Sequence, residues 1–136
     1  MSLAAHFPTV AEGRRHFKDL LDAAEDGLPN SVEREHMRAV LVDAGRLRRS
    51  LESARPARAE VVAEAGGWSV MLPGLPLAAD GASVDEALDD MVDALREYAS
   101  DWTDHLRVAP NHEGNWDLVQ LVDVSSDDEL KDWLGR

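Results

Sequence analysis

S-V-D-E-A-L-D-D-M-V-D-A-L-R-E-Y-A-S-D-W, residues 83–102, decides the fold of the second half of the chain. Ser83 with Glu86 three residues on is a capping-box signature. Such a pair opens a helix by bonding backbone N–H groups that have no partner of their own. Val84, Leu88, Met91, Leu95, Tyr98 and Trp102 then recur at steps of four and three, which places them on one apolar seam. Asp85, Asp89, Asp90, Asp93, Glu97, Asp101 and Asp104 lie off that seam. The spacing predicts a helix over 84–106. Asp85 and Glu86 suit the positive end of its dipole, and Arg107 suits the negative end.

Upstream of this helix, Val61 and Val62 within 59–63 and the run W-S-V-M-L (68–72) predict two strands joined at Gly66-Gly67. Residues 77–79 predict a third, shorter strand, turned at Asp80-Gly81. Downstream, A-P-N-H-E-G-N (109–115) reads as a loop, and 116–122 reads as a final strand with Trp116, Leu118 and Gln120 on one face. Ser126 and Glu129 make another capping box and predict a short C-terminal helix ending at Leu134.

The first half follows the same logic. Thr9 and Glu12 open a helix over about 10–26, with Phe17, Leu20, Leu21 and Ala24 as its buried stripe. Gly27 and then Pro29 end it. Residues 31–42 predict a hairpin turned at Glu35-His36, and Asp43 caps a helix over 44–53 with Arg46, Arg48 and Arg49 outward. Pro56 cannot continue that helix, so the expected domains are 1–55 and 58–136.

Charge divides along the same line. Residues 1–58 carry ten Lys+Arg and nine Asp+Glu, a net of +1. Residues 59–136 carry four and eighteen, a net of −14. The head suits an anionic partner such as DNA, whereas the body repels nucleic acid and suits a basic partner. Zero cysteines exclude disulfides, thiolate metal sites and cysteine nucleophiles. No apolar run approaches the ~18 residues of a membrane span. The start, M-S-L-A-A-H-F-P-T-V, lacks the basic flank and apolar core of a secretory signal, so a cytoplasmic location is expected.

The pattern E-G-R-R-H-F-K-D-L-L-D-A-A-E-D-G (12–27), the hairpin and R-A-V-L-V-D-A-G-R-L (38–47) together resemble the N-terminal domain of Phd/YefM-type antitoxins. That resemblance implies a head that dimerises and binds operator DNA through basic residues at the start of its first helix. Here these are Arg14, Arg15 and Lys18. One departure is the hairpin: Glu35-His36 sits at the turn where the family usually has a basic, Gly-containing one, and Glu33 and Glu35 dilute the basic surface. G-W-S-V-M-L-P-G-L-P (67–76) and D-G-A-S-V-D-E-A (80–87) resemble the body of HicB antitoxins, which implies a partial ferredoxin-like module that blocks an RNase toxin.

The expected fold class is therefore α+β. A small Phd/YefM-like helix–hairpin–helix head is joined to a HicB-like β-β-β-α-β body with a short C-terminal helix. The expected function is that of a non-enzymatic antitoxin and autorepressor without a cofactor. It would act as a homodimer or higher oligomer on operator DNA and on a basic toxin of the RelE or HicA kind. Asp89, Asp93, Glu97, Asp101 and Trp133 are the candidate toxin contacts. Two alternatives have stated signatures. An acidic protein-binding adaptor would not touch DNA, and a small metal-dependent hydrolase would use Asp101, His105 and His112. No H-x-x-x-H or H-E-x-x-H pattern supports a metal site. Asp89, Asp90 and Asp93 read more simply as a solvated or partner-facing helix face than as a Mg²⁺ site.

Overall fold

A computed structural model describes residues 4–136. The chain is mixed α+β, with two three-stranded sheets and six α-helices among the described residues. It forms two compact units, divided after Leu47.

The first unit holds β1 (Ala5–Phe7), α1 (Val10–Arg15), α2 (Phe17–Glu25), β2 (Asn30–Arg34), β3 (Met37–Ala39) and the first turn of α3 (Ala44–Ala54). β2 is the central strand, parallel to β1 and antiparallel to β3. The expected single helix over 10–26 is broken at His16, which leaves helical geometry at φ −111°, ψ 31° and separates α1 from α2. His16 stacks on Phe7 with ring centroids 5.1 Å apart. Thr9 caps α1 by accepting from the Glu12 N–H at 3.1 Å. Gly27, at φ +71°, ends α2 in the left-handed region that glycine adopts without strain. Around it the Leu28 N–H reaches the Ala23 carbonyl and the Gly27 N–H reaches the Ala24 carbonyl.

The small core of this unit is Ala5, Leu20 and Ala23, with Phe7, Leu28, Val32 and Leu41 packed against it. Only half of the expected stripe of α2 is inward. Leu20 and Ala24 are buried, whereas Phe17 and Leu21 are 51% and 48% exposed. The break at His16 and the short sheet give the helix one narrow face to bury, and residues 17 and 21 lie outside it. Gly13 is needed where α1 crosses β2, because a Cβ there would stand 2.9 Å from Val32 Cγ1.

The second unit holds the rest of α3, then β4 (Glu60–Glu64), β5 (Gly67–Met71), β6 (Ala78–Gly81), α4 (Val84–Asp104), α5 (Trp116–Asp123) and α6 (Asp127–Leu134). The sheet is an antiparallel meander in the order β4-β5-β6. α4 packs over β6 and β5 and also against α5 and α6. Ala87, Met91, Val92, Leu95 and Tyr98 of α4 are buried, together with Val70 and Leu72 from the sheet side.

Residues 116–122, expected as the last strand of a β-β-β-α-β body, form α5. Leu118, Val119, Leu121 and Val122 are all buried. Their spacing of i, i+1, i+3 and i+4 fits one helix face, and burial against α4 overrides the strand preference of valine. The body is therefore β-β-β-α-α-α. α6 opens with the full reciprocal capping box of Ser126 and Glu129. No described helix is long and apolar enough to cross a membrane.

Candidate partner-binding surfaces

The basic candidates sit on the first unit. Arg14 and Arg15 occupy the last turn of α1, and Lys18 lies in the first turn of α2. All three are exposed. Arg15 pairs with Glu12 at 3.3 Å and Lys18 with Asp22 at 2.8 Å. The hydrogen bond to Asp22, with its charge, raises the Lys18 pKa. Arg14 makes no ion pair with a described residue. It lies three residues before Phe17, whose ring is exposed. The hairpin adds Arg34 and Arg38 but alternates them with Glu33 and Glu35, so the sheet side of the unit is not a basic surface. Glu35 holds φ +52° at the hairpin turn, a left-handed position that glycine would occupy more easily.

The same unit leaves six large apolar side chains in solvent: Val10, Phe17, Leu21, Met37, Val40 and Val42, each exposed by 41% or more.

The acidic candidates sit on α4 of the second unit. Asp89, Asp93, Glu97 and Asp101 follow one another at steps of four, and all are exposed. They form a single stripe opposite the buried seam. Asp89 is tied down, with Asp85, by Lys131 of α6 at 2.8 and 2.6 Å. Those two carboxylates raise the Lys131 pKa. Asp93, Glu97 and Asp101 make no ion pair with a described residue, so their charge faces solvent uncompensated.

The arginine between them, Arg96, turns the other way. Its guanidinium donates to the carbonyls of Val122 at 2.5 Å and Ser125 at 2.8 Å, and pairs with Asp127 at 2.8 Å. It thereby caps the C-terminal end of α5 and leaves the α4 stripe wholly acidic.

Trp133 is not on the surface. It is 4% exposed, and its indole N–H donates to the Arg55 carbonyl at 2.9 Å. Arg55 also pairs with Asp117 and donates to Asn115 at 2.9 Å. Arg48 bridges Glu52 and Glu129 at 2.8 and 2.7 Å, and Arg136 pairs with Glu52. These contacts fasten the end of α3 to α5 and α6. Trp133 belongs to that anchorage and presents nothing to a partner. The anchoring roles of Arg55 and Arg96 carry no sequence signature, since each depends on partners brought close only by the fold.

Asp101, His105 and His112, the residues named for hydrolytic chemistry, line one open pocket with Glu97 and Tyr98, but the two histidines bond to different partners. His112 Nδ1 meets the Tyr98 hydroxyl at 2.8 Å, and Asn115 donates to that hydroxyl at 2.9 Å. The Trp102 indole N–H donates to the His112 carbonyl at 2.8 Å. His105 Nδ1 sits 3.1 Å from Asp104 on the exposed end of α4. Among the described residues no group of three or more His, Asp or Glu is placed to hold a metal ion.

No family model matches the sequence, and no curated protein matches it. In structure, the chain is similar to the antitoxin part of a candidate toxin/antitoxin system from Syntrophomonas wolfei subsp. wolfei. The fold is shared. The TM-score is 0.78 at 23% identity, over 93% of this chain and 94% of that one.

Proposed function

We propose that this chain is an antitoxin whose two units divide two tasks. The observation that carries this is the fold, matched over 93% of the chain to a protein solved as the antitoxin part of a candidate toxin/antitoxin system. The surfaces described above support the division. The first unit offers apolar side chains for a second copy and Arg14, Arg15 and Lys18 for operator DNA. A two-fold dimer would present two such cationic clusters, each at the junction of α1 and α2, to a palindromic site. The second unit offers the α4 stripe of Asp93, Glu97 and Asp101 to a basic toxin of the RNA-cleaving kind. A row of carboxylates competes for the cationic surface that such an enzyme uses for RNA, and steers the encounter at low salt. Asp89 contributes to the same stripe less strongly, because Lys131, shared with Asp85, offsets part of its charge.

DNA binding is tested by fluorescence anisotropy of the full chain on DNA from upstream of its own gene, across a salt series. The expected result is tight binding that weakens steeply with salt and is lost in Arg14→Ala/Arg15→Ala. No binding at low salt would remove the repressor role and favour an adaptor that binds proteins alone.

A further inference from the structure

We infer that β4 is a strand-addition site for a basic, extended segment of the partner protein. This deepens the antitoxin reading and rests on it for the partner's identity. β4 is an edge strand: its pairing is with β5, and every residue from Glu60 to Glu64 is exposed. In an antiparallel ladder, alternate residues of an edge strand aim their N–H and C=O groups away from the neighbour, as a template for another chain. The residues expected to supply a further strand, 116–122, form α5 instead. β4 carries none of the proline or lysine that commonly blunts an edge, and its side chains include Val61 and Val62, 41% and 44% exposed.

The charges on β4 select the occupant. Val61 pairs with Val70, which is buried under α4, so Val61 and Ala63 lie on the helix-covered side of the sheet. Glu60, Val62 and Glu64 lie on the opposite side. A second copy pairing all five residues antiparallel would set Glu60 against Glu64 twice, and like charges directly opposite are destabilising. A strand with Lys or Arg at both ends and apolar residues between them meets opposite charges at Glu60 and Glu64 and an apolar contact at Val62. The same edge therefore repels its own copy and accepts a basic strand.

The test uses isotope-labelled full-length protein and the blocked peptide Lys-Val-Val-Thr-Lys, followed by NMR titration. Expected are amide shifts centred on residues 60–64, with binding weakened roughly tenfold or more by Glu60→Lys/Glu64→Lys. The peptide Lys-Val-Pro-Thr-Lys, of equal charge but unable to complete the ladder, should bind far less. Equal binding of the proline peptide, shifts confined to Asp93, Glu97 and Asp101, or no binding at millimolar peptide would each overturn the inference. Toxin neutralisation by the Glu60→Lys/Glu64→Lys variant separates this claim from the one beneath it. Neutralisation equal to that of the unaltered chain would sink the strand-addition site and leave the antitoxin standing. Peptide binding at β4 without neutralisation by either protein would do the reverse.

Discussion

Trp133→Ala tests whether the C-terminal helix is part of the core or a surface for capture. The indole is 4% exposed and its N–H is bonded to the Arg55 carbonyl, so truncation removes a large buried ring and leaves a cavity between α6 and the end of α3. Such a change costs about 3–5 kcal/mol, of which the hydrogen bond accounts for about 1. Set against a total of about 5–15 kcal/mol, that is a large share of the stability of a small unit. At about 4–8 °C per kcal/mol the melting temperature should fall by at least 12 °C, read by far-UV circular dichroism. Trp133→Phe keeps most of the apolar area and loses the N–H, so it should cost only about 1–2 kcal/mol. A drop under about 4 °C for Trp133→Ala would refute the packing described for α6. It would return the residue to the list of partner contacts.

Other outcomes follow from single features. Gly81→Ala places a Cβ 2.5 Å from the Ala87 nitrogen at the first turn of α4, so it should destabilise by about 2–3 kcal/mol, whereas Gly114→Ala, with open space around it, should be neutral; urea melts of both decide the point. Phe17→Asp/Leu21→Asp should leave the fold intact and lower the oligomeric state in light scattering; an unchanged mass would remove these side chains from any dimer interface. Glu129 is held below the ordinary carboxylate value of 4.5 mainly by the Ser126 N–H, with Arg48 adding to the effect. A depressed folded pKa means the contribution is present above pH 4.5 and is lost as pH falls through the lower folded value. Glu129→Gln should therefore show a shallower loss of stability below about pH 4.5 than the unaltered chain, measured by urea melts at several pH values.

Much of this architecture was legible where the signal is local. Ser83 starts α4 as its spacing with Glu86 implies, and Met91, Leu95 and Tyr98 are buried as the seam requires. Gly27 ends α2 at positive φ for the reason its position suggests. What failed depends on packing between elements. W-D-L-V-Q-L-V fits a strand by alternation and a helix by i, i+3, i+4 spacing, and only the presence of α4 decides for the helix. β1 has three residues, too few to show any period, and exists because β2 offers it a parallel edge. Phe17 and Leu21 have helical spacing with Leu20 and Ala24, yet the sheet beneath is too narrow to cover them. The stripe of Asp93, Glu97 and Asp101 was legible as a face; the burial of Trp133 was not, because its partner Arg55 is 78 residues away in the chain.

The central claim is neutralisation of a basic toxin through the acidic side of the second unit. Its most direct test is growth of cells expressing each small basic protein encoded beside this chain's gene, with and without the chain. The account predicts that one such protein arrests growth, that the full chain relieves the arrest, and that Asp93→Asn/Glu97→Gln/Asp101→Asn relieves it poorly while remaining folded. Arrest that the full chain leaves untouched, or that the triple variant relieves as well as the unaltered chain, would contradict it.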